Sequence, residues 1–130
     1  MVDFIGIGAQ RCGTTWIYEI LNEHPEINMS SEKEIHFFSS NYHFGYNWYN
    51  SHFHSINAQK CGEYSTSYLY DLHCPERAYK YNKDIKIILS IRSPIDRFIS
   101  HHKHEVIGLR YTNKNNNVKS LFKQNPTYLE

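Results

Sequence analysis

Nothing in these 130 residues has the length of a membrane span: no apolar run approaches the roughly 18 residues that a bilayer-crossing helix needs. Cysteine is scarce as well. Cys12, Cys61 and Cys74 are odd in number and far apart, which excludes a disulfide framework and a CxxC zinc site and points to a reducing compartment. Neither sign of charge dominates. Lys and Arg number 14 against 13 Asp and Glu, so the chain has no broad basic surface for nucleic acid, and any anion site must be local. No basic segment precedes the first apolar run, so a signal peptide is not expected and the localisation reads as cytoplasmic. Internal repeats are missing too, and the length admits at most one domain built on one core.

Apolar residues are present in ordinary globular amount, 40%, and aromatics are plentiful at 15%, with 11 tyrosines. Residues 3–8 (DFIGIG) form a short apolar run closed by glycine and predict a buried strand. A helical pattern begins at Thr14, with Trp16, Ile17, Ile20 and Leu21 on its apolar face, and His24-Pro25 ends it. Residues 34–38 (EIHFF) suit a short extended piece, 45–53 a helical turn rich in Tyr and Trp, and 60–64 a short strand. Pro75 opens a helix to about residue 82. Residues 85–91 (IKIILSI) predict the second clear buried strand. Ser93 then suits an N-cap, Pro94 the first helical position and Asp96 the first turn, with Ile95, Phe98, Ile99, His102 and Val106 on the buried face. Residues 111–130 read as a polar linker followed by a short helix over 118–123. Strands that each lead into a helix predict an α/β fold, a parallel sheet flanked by helices.

Gly8-Ala9-Gln10-Arg11-Cys12-Gly13-Thr14-Thr15 has the spacing of a phosphate-binding loop between strand and helix. It is not a Walker A loop, because Thr14 stands where the lysine should be and the cation has moved inside the loop to Arg11. The strand over 85–91 ends in Arg92 rather than in a magnesium-binding Asp, so the site holds anions with cations directly and expects no metal. His101, His102 and His104 do not converge on one helix face, and no metal site is expected there either.

The segment Gln10-Arg11-Cys12-Gly13-Thr14-Thr15-Trp16 resembles the 5′-phosphosulfate loop of sulfotransferases, often written PKSGTTW. Ile91-Arg92-Ser93-Pro94-Ile95-Asp96-Arg97-Phe98-Ile99-Ser100 resembles the 3′-phosphate motif of the same family, RxPxxRxxS. Two motifs in the right order, each at a strand-to-helix junction, are far more specific than either alone. The resemblance covers residues 3–109 and implies 3′-phosphoadenylyl sulfate as the donor. Arg11, Cys12, Gly13, Thr14, Thr15 and Trp16 would take its 5′ end, and Arg92 and Ser100 its 3′-phosphate. Arg11 would stabilise the charge that develops in transfer. Lys33-Glu34-Ile35-His36-Phe37-Phe38 resembles the KExHFF segment of the heparan-type and bacterial branch, which implies Glu34 as the general base and His36 as its helper or alternative. Residues 61–70 resemble the segment GEKSPxY, with Tyr64 in place of Lys and Thr66 in place of Pro; Glu63 is then structural or acceptor-facing.

The family likeness implies a longer domain, so residues 1–130 read as the N-terminal portion of a single sulfotransferase domain, a fragment weak in donor binding and turnover by itself. The acceptor implied is a small molecule or glycan carrying a hydroxyl or amine. The alternatives are a P-loop nucleotide kinase or NTPase, and a non-catalytic domain that binds a partner through the aromatic surface of residues 42–53.

Overall fold

The computed structural model describes residues 1–54 and 60–107. The chain divides into two compact units, Met1–Arg92 and Ser93–Glu130. The first carries a four-stranded, all-parallel sheet in the order β2-β3-β1-β4. Its strands are β1 (Phe4–Gly8), β2 (Ile27–Met29), β3 (Lys60–Tyr64) and β4 (Lys86–Leu89). Helix α1 (Thr14–Asn22) links β1 to β2, α2 (Gly45–Asn50) lies between β2 and β3, and α3 (Cys74–Tyr81) between β3 and β4. The α/β class with a parallel sheet is thus as expected. Parallel strands put all their carboxyl ends on one edge, and the loops that leave that edge carry the candidate residues.

β1 is central, and its alternating side chains divide the core in two. On one face, Phe4 packs with Tyr18, Met29 and Tyr64. On the other, Val2 and Ile5 pack with Ile35, Phe37, Phe38, Tyr49 and Tyr68. Much of the tyrosine content is spent here: the rings of Phe37 and Tyr49 stack at 4.2 Å, and Phe38 meets Tyr49, Tyr68 and Tyr81 edge-on. The strands approach closely because two cross-strand pairs combine a ring with a glycine, Gly6 with Tyr64 and Phe4 with Gly62. A Cβ on Gly62 would stand 2.1 Å from the Phe4 ring, and one on Gly6 2.2 Å from that of Tyr64.

Four expectations need correction. Helix α1 does not turn Trp16 and Ile20 inward; Trp16 is 70% exposed and Ile20 45%. The inner face is Thr14, Ile17, Tyr18 and Leu21, spaced by three and four. Tyr18 wins that face because its ring fills the core while its hydroxyl donates to the Ser30 carbonyl at 2.6 Å. Residues 34–38 are not extended: Glu34 and His36 both take left-handed backbone, with φ of 64° and 55°. Strand β2 was not foreseen, and β4 is shorter than the apolar run that announces it.

In the second unit, α4 (Pro94–Ile107) starts as expected, with the Arg97 N–H donating to the Ser93 carbonyl at 2.9 Å. Ile95 and Ile99, expected on its buried face, are exposed, while Phe98 and His102 are half-buried. The side chain of Val106, the linker over 111–130 and the short helix over 118–123 lie outside the described residues.

Candidate active site

β1 ends at Gly8, and the chain crosses residues 9–13 to enter α1. Gly8 is tied down from two sides: its carbonyl accepts the Ser90 N–H at 2.9 Å and the Tyr64 hydroxyl at 3.0 Å, while the next N–H, Ala9, donates to the Ser90 carbonyl at 2.8 Å. The loop that follows is thereby anchored to β3 and β4. Arg11 adopts φ of 67° and Gly13 φ of 78°. Gly13 meets that left-handed conformation without strain, and open space surrounds it, so the backbone at the mouth of α1 is accessible. Thr14 and Thr15 open the helix, where the first N–H groups have no intrahelical acceptor and the helix dipole is positive. The residues present therefore fit an anionic group: a glycine-opened turn, a helix N-terminus and a guanidinium at Arg11. Cys12 is part of the same turn, its thiol directed to the Gln10 carbonyl at 3.8 Å, whereas Trp16 stands on the outer face of α1.

Glu34 and His36 sit on the loop that leaves β2. The Glu34 carboxylate accepts from the Lys33 ammonium at 2.8 Å and from Thr66, whose N–H reaches it at 2.8 Å and whose hydroxyl at 3.1 Å. His36 Nε2 lies 3.7 Å from Glu34 Oε2, and Nδ1 lies 2.7 Å from the Ser67 hydroxyl, which also meets Ser39. The two candidate bases are neighbours, so either side chain can orient the other. Left-handed backbone at a residue other than glycine costs about 1–3 kcal/mol each. In the first unit Arg11, Glu34 and His36 all bear it, and such strain concentrates at sites of function.

Arg92 ends the first unit just past β4 and is exposed on the same carboxyl edge as Arg11 and Glu34. No carboxylate follows β4: the chain reads Ser90, Ile91, Arg92, which removes the magnesium ligand a nucleotide kinase needs. Ser100 lies in the second unit, on α4, and is half-buried there. Among the described residues no three His, Cys, Asp or Glu side chains gather as a metal site. No helix among them is long and apolar enough to cross a membrane.

Comparison with known proteins decides the family. The profile of the sulfotransferase domain matches residues 2–127. The chain belongs to the sulfotransferase family. A membrane-associated sulfotransferase, kil1, of Dictyostelium discoideum is 35% identical over 112 residues, covering 83% of this chain and 24% of that protein. Heparan sulfate glucosamine 3-O-sulfotransferase 5 of Homo sapiens is 37% identical over 111 residues, covering 83% of this chain and 32% of its own length. The crystal structure of a sulfotransferase from Alicyclobacillus acidocaldarius superposes with a TM-score of 0.79 at 29% identity, over 88% of this chain and 53% of that one. The chain thus spans from about an eighth to a third of the length of the curated relatives it matches.

Within the sulfotransferase pattern, the two departures in the third segment acquire physical content. Tyr64, at the place where the resembled segment carries Lys, is fully buried, and its hydroxyl reaches Gly8 and Ser90 beneath the turn over residues 9–13. It supplies no cation to an acceptor. Thr66, at the place of Pro, brings what proline lacks, a backbone N–H, and spends it on Glu34. Glu63 is 0% exposed, so it is not acceptor-facing. Burial pushes its carboxyl up to about 7, while hydrogen bonds from Tyr68, Ser65 and Tyr49 pull it down. Ser65, Thr66, Ser67 and Tyr68 hold the site together. Of these the sequence singles out only Thr66, as a departure from the family segment; Ser65, Ser67 and Tyr68 lie beside it in GEYSTSY without a signal of their own.

Proposed function

We propose that this chain is the donor-binding half of a sulfotransferase that passes a sulfuryl group from 3′-phosphoadenylyl sulfate to a hydroxyl or amine of a glycan or small-molecule acceptor. The observation that carries the reading is the placement of Arg11, Glu34 and Arg92 on three loops at one carboxyl edge, two of the three on left-handed backbone. Arg11 and the amides of Gly13, Thr14 and Thr15 hold the 5′-phosphosulfate, with Cys12 shaping the turn and Trp16 flanking it. Arg92 holds the 3′-phosphate. A fixed guanidinium and helix N-terminus stabilise negative charge as it builds on the leaving phosphate. Glu34 takes the proton of the acceptor as the new bond to sulfur forms, and His36 keeps the carboxylate oriented. The names of the heparan sulfate relatives support a glycan acceptor. Cys12, Cys61 and Cys74 are free thiols, in keeping with a reducing compartment such as the cytoplasm.

Calorimetry with 3′-phosphoadenosine 5′-phosphate on the full 130-residue chain tests this. Binding without metal, tighter than ADP with magnesium, and weakened at least about tenfold by Arg92→Ala is expected, the loss of a hydrogen bond to a charged group. Equal binding of ADP with magnesium, or no binding of either nucleotide, overturns the assignment.

A further inference from the structure

Glu63 is the one carboxylate in the first unit with no surface at all among its buried polar residues. A buried carboxylate must be satisfied, and this one accepts from three hydroxyls: Ser65 at 2.7 Å, Tyr49 at 3.1 Å and Tyr68. Two of those hydroxyls have a second partner. Ser65 Oγ accepts the His36 N–H at 3.0 Å, and the Tyr68 hydroxyl accepts the Phe38 N–H at 3.3 Å. A hydroxyl has one proton to give. While that proton points at Glu63, the oxygen lone pairs face the backbone of residues 36 and 38. The carboxylate therefore sets the direction of both hydrogen bonds, and the segment they grip is the one that carries Glu34 and His36 on left-handed backbone.

We propose that Glu63 is a positioning residue for the acceptor-activating loop: through the Ser65 and Tyr68 hydroxyls it fixes the backbone at His36 and Phe38 and so holds Glu34 and His36 in their strained conformation. This rests on the reading of Glu34 and His36 as the acceptor-side pair. A residue that only filled space at this position would be apolar, since an aliphatic side chain carries no desolvation cost. The titratable groups that face Glu63 are Glu34 on the loop, Tyr49 on α2, Tyr68 after β3 and Cys74 on α3. Burial raises both tyrosines well above their ordinary value and pushes the Cys74 thiol up to about 12, so near neutral pH Glu63 is the group of this set whose burial places its titration there.

The test is amide hydrogen exchange and amide shift against pH, by nuclear magnetic resonance on the full chain, for wild type, Glu63→Gln and Ser65→Ala. In wild type the His36 and Phe38 amides should shift together with a midpoint near pH 7. Glu63→Gln should abolish that midpoint and speed exchange at both amides at least about tenfold relative to β1, as expected for one lost hydrogen bond. An unchanged midpoint, or exchange that rises equally in β1, overturns the proposal. Should Glu63→Gln not fold, the wild type decides, with Ser65→Ala, which removes the His36 acceptor itself, marking the size of a full loss: exchange at His36 and Phe38 that slows relative to β1 as pH rises through the midpoint supports the proposal, and exchange that follows β1 throughout refutes it. Affinity for 3′-phosphoadenosine 5′-phosphate, measured alongside, should move less than about twofold, because it depends on other loops. Its absence in wild type would sink the donor assignment while leaving the amide result to judge Glu63.

Discussion

Glu63 also makes a sharp statement about stability. Burial raises its carboxyl from 4.5 to about 7, against three hydrogen bonds that favour the ionised form. Between those two pH values the unfolded chain has released the proton and the folded chain still holds it. Folding then takes up a proton, so stability is complete below about 4.5 and falls as pH rises through 7. The size follows from the gap between the two values, about 3 kcal/mol, a large part of what a domain of this length has to spare. Gln at position 63 is neutral throughout and removes that slope. Urea denaturation followed by circular dichroism at pH 5 to pH 8.5, on wild type and Glu63→Gln, measures it; taking the difference of the two profiles isolates the contribution of position 63. The wild-type chain should lose about 3 kcal/mol more than the variant across the range. Parallel profiles, or a wild type that gains stability toward alkaline pH, would refute the reasoning.

Two further outcomes follow from the packing of the sheet. Gly62→Ala places a methyl 2.1 Å from the buried Phe4 ring, and should cost about 1–3 kcal/mol in urea denaturation, with most of the loss relieved in Gly62→Ala combined with Phe4→Leu; a cost under about 0.5 kcal/mol would mean the strands can part. Asp3 is pushed up by burial but pulled further down by the Cys61 N–H and by Lys60, so its carboxyl lies below the ordinary value. It stabilises the fold above the unfolded value and loses that contribution as pH falls through the folded one. Asp3→Asn should therefore flatten the acid limb of the stability profile and leave the neutral region parallel to wild type, and an unaltered acid limb would count against it.

How far the sequence could be read depended on how local each signal was. β1 and β4 lie within apolar runs, and α3 and α4 open on proline near the first position, so each announces itself within its own residues, whereas β3 (KCGEY) carries two charges and reads only as a short strand. The position of the turn over residues 9–13 and of Arg92 could be read for the same reason: each lies directly after such a strand, and parallel strands bring their ends to one edge. β2 has three residues, too few to alternate, and exists because β3 accepts it in register. The face of α1 was misread because hydrophobicity ranks Trp16 and Ile20 above Thr14 and Tyr18, whereas the geometry of the turn and the Ser30 carbonyl choose the latter pair. The conformation of the loop after β2 could not be read, since nothing in Glu-Ile-His announces left-handed backbone, although the resemblance named Glu34 and His36 as candidates. Its conformation is imposed from outside, by Ser65, Thr66 and Tyr68, across about thirty residues of chain.

That dependence on distant hydroxyls gives the site two opposed responses to pH. Protonated Glu63 has one oxygen committed as a donor, so three hydroxyls compete for fewer acceptor positions, and at least one must turn its proton elsewhere. If that hydroxyl belongs to Ser65 or Tyr68, its grip on His36 or Phe38 weakens. Raising the pH restores the acceptor and tightens the loop, while the same ionisation lowers the stability of the fold. Local order at residues 36 and 38 and global stability should therefore move in opposite directions between pH 5 and pH 8. A buried carboxylate retained only for packing would loosen both together, because local opening would then follow the stability of the whole. The sign of the relation between those two profiles distinguishes a group that holds the strained loop of residues 34–38 from one that merely fills the core, and it does so without requiring that an acceptor be identified.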